Sequence, residues 1–268
     1  MRQLTDLECM ILGHLNLAEF NREIARWSGD RGEIHEADGV LCFATGSTAP
    51  QVVNGMQRLD PSVEPGHALD VATAWFRERG RGFTIFIPTH EHDFVDAARA
   101  RGIEPPLATV TPEMVCRSVP DARPLPEGIE LRWVEDESGV HDFCAVNEEA
   151  YSPDGRPLTM FREITRDANR FCAPHIRTVV AYSGDRAVAA AQTIYSHGIA
   201  GVFAVGTRSD ARGKGVGDAV TRAVTRRAFE DGAAAVSLQA SAMGAPIYDR
   251  MGYARLYDYA YTVNMLQP

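Results

Sequence analysis

The chain has 268 residues, a formal net charge of −9, 45% hydrophobic residues and 24% charged residues. This composition is typical of a globular protein with a full core, and no apolar run approaches the roughly 18 residues that cross a membrane. The negative charge disfavours a general nucleic-acid binder and weakly favours cationic partners such as amines. We therefore expect neither nucleic acid nor a membrane as a partner.

The N-terminus and the cysteines bear on the cellular compartment. The first residues carry acids and lack the basic and apolar stretches of a secretory signal. The five cysteines are scattered, without a Cys-x-x-Cys pair, which argues against a disulfide framework and a zinc ribbon. His90 and His92 are close in sequence, but no third ligand is placed beside them. These observations predict a cytoplasmic protein without a metal site.

Hydrophobic periodicity and glycines predict four elements in the first half. They are a helix over residues 68–79, a strand over 83–87, a helix over 92–100 and a strand over 109–116. Prolines and a glycine then interrupt all periodicity between residues 120 and 128, which predicts a linker. We expect two domains, 1–122 and 123–268.

The second half alternates strand and helix patterns. Its predicted strands cover residues 129–134, 178–182, 187–195, 199–205, 233–239 and 257–263. Its predicted helices cover residues 137–151, 217–230 and 245–251. Both halves close on the order helix, glycine, strand, helix, glycine, strand, which predicts a duplicated unit. The pattern predicts an α/β (α+β) fold, with a mixed, mostly antiparallel sheet flanked by helices.

The loop before the helix at 217–230 has the composition of a pyrophosphate site. Gly213, Gly215 and Gly217 let the backbone turn its N–H groups towards an anion at the helix N-terminus. Arg212 and Lys214 add cations beside those groups. The spacing fits neither a P-loop, which needs Ser or Thr after the lysine, nor the G-x-G-x-x-G of a Rossmann fold.

Arg212, Gly215 and Gly217 form the pattern Arg-x-x-Gly-x-Gly, which resembles the acetyl-CoA signature of the GNAT superfamily of N-acetyltransferases. A second segment, residues 245–253, is similar to the fourth helix of that family, with its tyrosine and its closing glycine-aromatic pair. The resemblance covers roughly residues 129 to 268. It implies the acyl-CoA N-acyltransferase fold, in a tandem arrangement whose first half is degenerate.

The resemblance implies acetyl-CoA as the cosubstrate. The implied contacts are Val205, Gly206 and Thr207 with the pantetheine arm, and Arg212, Gly213, Lys214, Gly215, Val216 and Gly217 with the pyrophosphate. Tyr248 matches the family tyrosine that protonates the departing thiolate. Where the family often has proline and asparagine, this chain has Ser209 and either Ser241 or Ala242. The motifs therefore define the cofactor side of the site better than the acceptor side.

The catalytic base is left open. Glu148 and Glu149 come just before residues 151–157, a turn-rich loop where relatives line the acceptor pocket. Either glutamate is a candidate to bind an ammonium group or to remove its proton through water, although adjacent acids on a helix are also typical of a solvated surface. His197 has a suitable pKa range but lies in a predicted hairpin turn.

We expect an acetyl-CoA-dependent N-acetyltransferase that moves an acetyl group directly to a primary amine of a small molecule or peptide. The alternative is a non-catalytic acyl-CoA sensor or partner-binding module. In the first half, residues 61–67 stand where the glycine loop should be, with two prolines that lack N–H groups and with Glu64, which would repel phosphate. That half is expected to shape the acceptor pocket or to mediate contacts in a homodimer.

Overall fold

The computed structural model describes residues 3–47, 53–152 and 159–265. The strands are β1 (Glu33–Ala37), β2 (Val40–Ala44), β3 (Gly55–Arg58), β4 (Phe83–Pro88), β5 (Thr111–Cys116), β6 (Ile129–Trp133), β7 (Ile176–Ser183), β8 (Arg186–Ser196), β9 (Ile199–Thr207), β10 (Val236–Gln239) and β11 (Ala254–Asn264). The helices are α1 (Asp6–Trp27), α2 (Pro65–Glu78), α3 (His92–Ala100), α4 (Glu137–Ala150), α5 (Met160–Ile164), α6 (Ala168–Phe171), α7 (Val216–Glu230) and α8 (Ala245–Met251).

The last strand of each half lies inside the other half's part of the sheet. The strand order is β1-β2-β3-β4-β11-β5-β10-β9-β8-β7-β6. Strand β5 of the first half pairs antiparallel with both β10 and β11, and β11 pairs with β4 on its other side. The two halves thus contribute to one continuous sheet, arranged about the central β5–β11 pair. The division at residues 122 and 123 stays a prediction.

Helices cover both faces of the sheet. Successive residues of a strand point to opposite faces, so Leu41 and Phe43 of β2 join the apolar cluster of α1 and α4, whereas Val40 and Cys42 join that of α2 and α3. Helices α7 and α8 pack through Val220 and their other apolar residues against the strands of the second half. The predicted mixed sheet flanked by helices is therefore confirmed.

Helix α1 lies across the centre of the sheet and escapes prediction from the sequence. Its start carries a capping box, in which the Thr5 hydroxyl and the Glu8 carboxylate each accept a hydrogen bond from the other residue's backbone N–H. Its buried face includes Asn16, which donates to the Ile194 carbonyl oxygen at 2.9 Å. A Cβ at Gly201 would lie 1.9 Å from the Asn16 Oδ1 atom, so that glycine allows the helix to approach the sheet.

The elements predicted in the second half are present, with ends that shift by a few residues. For example, the strand predicted over 233–239 begins at Val236, and the helix predicted over 217–230 begins at Val216. Of the predicted acceptor-side loop, residues 153–157 lie outside the described residues. Within the described ranges no helix combines the length and the apolar composition that crossing a bilayer requires.

Candidate active site

Strands β9 and β10 separate part of the way along their length. They pair in parallel at three positions, from Ala200–Val236 to Val202–Leu238, and β10 pairs on its other side with β5. Beyond Val202, β9 has an irregular register with β8, and Ala204 adopts a left-handed φ of 49°. A β-bulge of this kind bends a strand away from its neighbour. Residues 203–207 therefore border a gap in the sheet.

The predicted glycine loop stands at the end of this gap. Gly213 and Gly215 have φ values of +73° and +78°, a conformation that other residues rarely adopt. Gly215 is the N-cap of α7, and no side chain of the described residues caps that helix. A Cβ at Gly217 would lie 3.0 Å from the Thr207 Oγ1 atom, so the loop packs closely on the strand end. The open N-terminus of a long helix is suited to an anion.

Arg212 and Lys214 differ in their surroundings. The Arg212 side chain donates to the carbonyl oxygens of Thr207 at 3.2 Å and of Ala150 at 3.0 Å, so it joins the end of β9 to the end of α4. Lys214 is exposed beside the loop. Arg212 is exposed as well, but its two hydrogen bonds to backbone carbonyl oxygens restrain its guanidinium and help to position the loop.

Gly206 fits closely under α4. A Cβ at this position would lie 2.4 Å from the Asn147 Oδ1 atom, which leaves no room for a side chain. Val205 accepts a hydrogen bond through its carbonyl oxygen from the Tyr151 hydroxyl at 3.2 Å. Val205, Gly206 and Thr207 therefore present β9 backbone along the gap between the strands.

A cavity of about 1350 Å³ passes through the gap and is lined from both faces of the sheet. On one face it borders the glycine loop and Tyr248 of α8, and on the other it borders Leu17 and Phe20 of α1. Ligand pockets commonly measure about 300–1,000 Å³, so this one has room for two substrates. Both halves of the chain contribute to its wall.

Tyr248 lies in this cavity with only 8% of its surface exposed. Burial raises the pKa of the Tyr248 hydroxyl to about 12, so the phenol is protonated at neutral pH. Helix α8 ends at Gly252, whose left-handed φ of 100° turns the chain so that the Tyr253 ring packs 5.9 Å from the Tyr248 ring. Tyr248 is therefore a neutral proton donor held beside the strand gap.

Glu148 and Glu149 are both engaged in ion pairs with arginine. Glu148 is buried, and its carboxylate accepts from the Arg162 backbone N–H at 3.1 Å and from the Arg162 Nε at 2.7 Å. Glu149 pairs with Arg208. Neither glutamate belongs to the lining of the cavity. A base role for either stays a prediction, and these ion pairs argue against it.

The other titratable groups considered from the sequence lie apart from the cavity. His197 is exposed at the turn between β8 and β9.

Among the described residues, Glu19, Glu23 and His175 come close enough together to hold a metal ion. However, arginines already pair with both carboxylates: Arg26 lies 2.6 Å from Glu19 and 2.7 Å from Glu23, Arg22 lies 3.1 Å from Glu19, and Arg170 lies 2.5 Å from Glu23.

Two site features have no local sequence signature. Gln239, at the end of β10, lines the cavity and donates through its Nε2 to the Glu113 Oε2 at 2.5 Å. Burial raises the pKa of Glu113 to about 8. Glu113 belongs to β5 of the first half, and only the strand exchange brings it beside β10. The apolar wall that α1 contributes to the cavity likewise depends on tertiary packing.

The arginines of α7 hold the linker beside the cavity. Arg222, which is 4% exposed, donates to the Asp121 carbonyl oxygen at 2.9 Å and pairs with Asp218. Arg226 donates to the Pro120 carbonyl oxygen at 2.6 Å. The linker residues that follow, 122–126, line the cavity. The linker is thus a fixed part of the wall near the glycine loop.

Comparisons with known proteins agree with this geometry. Residues 122–248 match the family model described as an acetyltransferase (GNAT) domain. Among curated proteins, none matches this sequence.

Several solved structures share the fold over nearly the whole chain. A GCN5-related N-acetyltransferase from Kribbella flavida is 18% identical, with a TM-score of 0.68, 94% of this chain covered and 96% of the other. One from Sphaerobacter thermophilus is 16% identical, with a TM-score of 0.59 and coverages of 100% and 95%. A tandem GNAT protein from the clavulanic acid biosynthesis pathway is 12% identical, with a TM-score of 0.63 and coverages of 99% and 98%. Residues 122–248 of this chain are therefore similar to an acetyltransferase (GNAT) domain, and the chain shares the fold of these solved structures.

Proposed function

We propose that this protein transfers an acetyl group directly from acetyl-CoA to a primary amine of a small molecule or peptide. The observation that carries the proposal is the cavity that borders both the uncapped N-terminus of α7 and the buried Tyr248 on one face of the sheet and continues through the β9–β10 gap to the other face. An anion site and a proton donor on one continuous cavity are what transfer from a CoA thioester requires.

Acetyl-CoA would bind through backbone groups for most of its length. The N–H groups of residues 213–217 would hold the pyrophosphate, because the helix dipole and the two left-handed glycines favour an anion there. Val205, Gly206 and Thr207 would pair with the pantetheine arm along the free edge of β9. Arg212 would keep this edge and the loop in place through its two carbonyl contacts.

Tyr248 would act as the general acid. The amine nitrogen, in its neutral form, forms a bond to the acetyl carbon, the carbon–sulfur bond breaks, and the Tyr248 hydroxyl gives its proton to the sulfur. The proton released by the amine nitrogen passes through water and restores the phenol. A thiol has a pKa of about 8.5 and the buried Tyr248 phenol one of about 12, so full proton transfer from the phenol is favourable only to a thiolate that is excluded from water and has gained basicity.

We further propose that residues 1–122 form a degenerate GNAT-like half that does not bind the cofactor, and that residues 123–268 form the catalytic domain. At the N-terminus of α2, the Glu64 carboxylate accepts hydrogen bonds from the Gly66 and His67 N–H groups, at 2.9 and 2.5 Å. The position of an anion at this helix is therefore filled by the protein itself. Coverage of nearly the whole chain by a tandem GNAT protein supports the division.

The test is thiol release from acetyl-CoA with a panel of primary amines, amino acids and basic peptides, after calorimetry has measured acetyl-CoA binding. We expect binding, and turnover with one class of amine. Tight binding with no turnover on any amine would favour the acyl-CoA sensor, and no binding would refute both functions.

A further inference from the structure

On the α1 face of the sheet the cavity has an apolar wall. We define the apolar chamber by six of its lining residues, Leu17, Phe20, Ile24, Phe86, Phe161 and Phe203. The Phe20 and Phe203 rings stack with their centroids 4.2 Å apart, so helix α1 and strand β9 meet through aromatic faces. Four of the six belong to the first half, which therefore supplies most of this wall.

Charged residues that line the cavity lie at its other end. They come from the linker, the glycine loop, α7 and α8, and they are Arg123, Arg212, Lys214, Asp218, Arg222, Arg226 and Arg250. Among the lining residues that the structure describes on the α1 face, none is charged. The nearby glutamates on α4, Glu148 and Glu149, are paired with arginines and lie outside the lining.

Among the described residues that line this part of the cavity, the hydrogen-bonding groups are uncharged. They include Gln239, Thr111 and Tyr261. Because the Gln239 Nε2 donates to Glu113, its amide oxygen is left to accept a hydrogen bond from an N–H group. A wall of this kind would leave a second ammonium group desolvated and without a carboxylate, which is costly. An apolar body would instead gain from burial.

We propose that the acceptor is an amine with an apolar aromatic or aliphatic body, held in the apolar chamber and oriented by Gln239, and that polycationic amines are poor acceptors. This inference rests on the proposed acetyl transfer. It gives the first half a function, because Leu17, Phe20, Ile24 and Phe86 select the acceptor although that half holds no cofactor. The strand exchange also contributes to the selection of the acceptor, because Glu113 of β5 holds the Gln239 side chain in place.

The first experiment compares phenethylamine and hexylamine with 1,4-diaminobutane and spermidine. Thiol release from acetyl-CoA is measured for each, together with calorimetric binding in the presence of CoA. We expect kcat/KM at least about tenfold higher for the apolar amines, the effect of burying roughly two methylene groups. Equal or higher values for the diamine and spermidine would overturn the proposal. If no amine releases thiol, the transfer function fails, and calorimetry then decides the inference, with absence of apolar-amine binding counting against it.

A second arm distinguishes an apolar acceptor from an apolar acyl group, which the same chamber could hold. Acetyl-, butyryl- and hexanoyl-CoA are compared with ethanolamine as a small polar acceptor. We expect the rate to stay level or fall as the acyl chain lengthens. A rate that rises with chain length, by tenfold or more, would assign the chamber to the acyl donor and overturn the proposal.

Variants of α1 test whether the apolar chamber determines the preference between apolar amines and diamines. Phe20→Glu places a carboxylate in the chamber and is expected to raise the ratio of kcat/KM for 1,4-diaminobutane over hexylamine by at least about tenfold. Ile11→Glu adds the same charge on the exposed face of the same helix, where Ile11 is 52% exposed, and should leave the ratio unchanged. If Phe20→Glu does not fold, Phe20→Ala should weaken hexylamine binding while diamine binding stays level. An unchanged ratio in a folded Phe20 variant would contradict the proposal.

Discussion

The two halves end corresponding helices with the same hydrogen bond. Helix α8 is followed by Gly252, and the N–H group of the next residue, Tyr253, donates to the Tyr248 carbonyl oxygen at 3.0 Å. In α3, the Ile103 N–H donates to the Ala98 carbonyl oxygen, also at 3.0 Å. Helix termination of this type depends on a left-handed glycine and not on the side chain four residues earlier. The position that carries a phenol in one half thus carries only a methyl group in the other.

The N-termini of α2 and α7 also differ, in whether a side chain caps the first N–H groups of the helix. Helix α7 begins after a left-handed glycine without a side-chain cap, whereas α2 begins with Glu64 bound to its own first N–H groups. The N–H groups at the start of α7 are thus left without a side-chain cap, whereas those at the start of α2 are capped by Glu64. Similar helix ends in the two halves therefore do not require the same side chains beside them.

The largest effect is expected at Tyr248. Tyr248→Phe removes the proton donor and should lower kcat by about 100-fold or more, the usual contribution of general acid catalysis. Acetyl-CoA affinity should change little, because the ring still fills the same space. Steady-state kinetics and calorimetry check the two parts. Unchanged kcat would reduce Tyr248 to a packing residue, equivalent to Ala98 of the first half.

A smaller but clear effect is expected at the glycine loop. Gly215→Val forces a β-branched residue into a left-handed conformation where the N–H groups should meet the pyrophosphate, and should raise the Kd for acetyl-CoA at least about tenfold. Gly232→Val is the matched control, because Gly232 also has a positive φ, 96°, and nothing lies within 4 Å of its added Cβ. Calorimetry should show the loss in the first variant alone. Equal affinities in both would remove the loop from the cofactor site.

Glu113, on the exchanged strand β5, is expected to make the free energy of unfolding depend on pH. Burial raises the pKa of Glu113 to about 8, above the value of about 4.3 for an exposed glutamate. The folded state therefore binds more protons than the unfolded state between these values, so this contribution to stability is lost as the pH rises towards 8, by at most about 1.4 kcal/mol per pH unit.

Urea unfolding of the wild type and of Glu113→Gln measures this difference. A window from about pH 6.5 upwards avoids His14, whose pKa is lowered to about 4 by burial and whose titration has the opposite sign below its unfolded pKa of about 6.5. We expect the wild type to lose stability relative to Glu113→Gln across this window. Parallel pH profiles would show that Glu113 is already ionised in the folded protein.

The smallest effect is expected at Glu64. Glu64→Ala removes the cap of α2 and should lower the free energy of unfolding only slightly, because the carboxylate is exposed to solvent. It should not create a second cofactor site, because Pro65 lacks an N–H group and the first half has no glycine loop. Thermal unfolding checks the first part and the stoichiometry of acetyl-CoA binding checks the second. Binding of a second acetyl-CoA would mean that Glu64 alone prevents the first half from binding the cofactor.

The features that depend on local physics could be predicted from the sequence. Hydrophobic periodicity predicted the strands and helices of the second half, because each buries one regular face. The glycines at 213, 215 and 217 predicted a sharply turning loop before a helix, and the structure has left-handed φ values at Gly213 and Gly215 just before α7. Tyr248 could be placed on a short helix because Gly252 and Tyr253 mark its end. That these residues bind and convert acetyl-CoA stays a prediction.

The α1 face of the cavity and the partners of the candidate bases depend on tertiary packing. Helix α1 buries Asn16, Asn21 and Glu23 among its apolar residues, so its sequence lacks a clean apolar stripe and gave no prediction. The ion pairs of Glu148 and Glu149 join residues far apart in sequence, as does the contact between Glu113 and Gln239. Periodicity describes only which face of an element is buried. Which charges meet, and which strand lies beside which, is set by the packing of the two halves into one sheet.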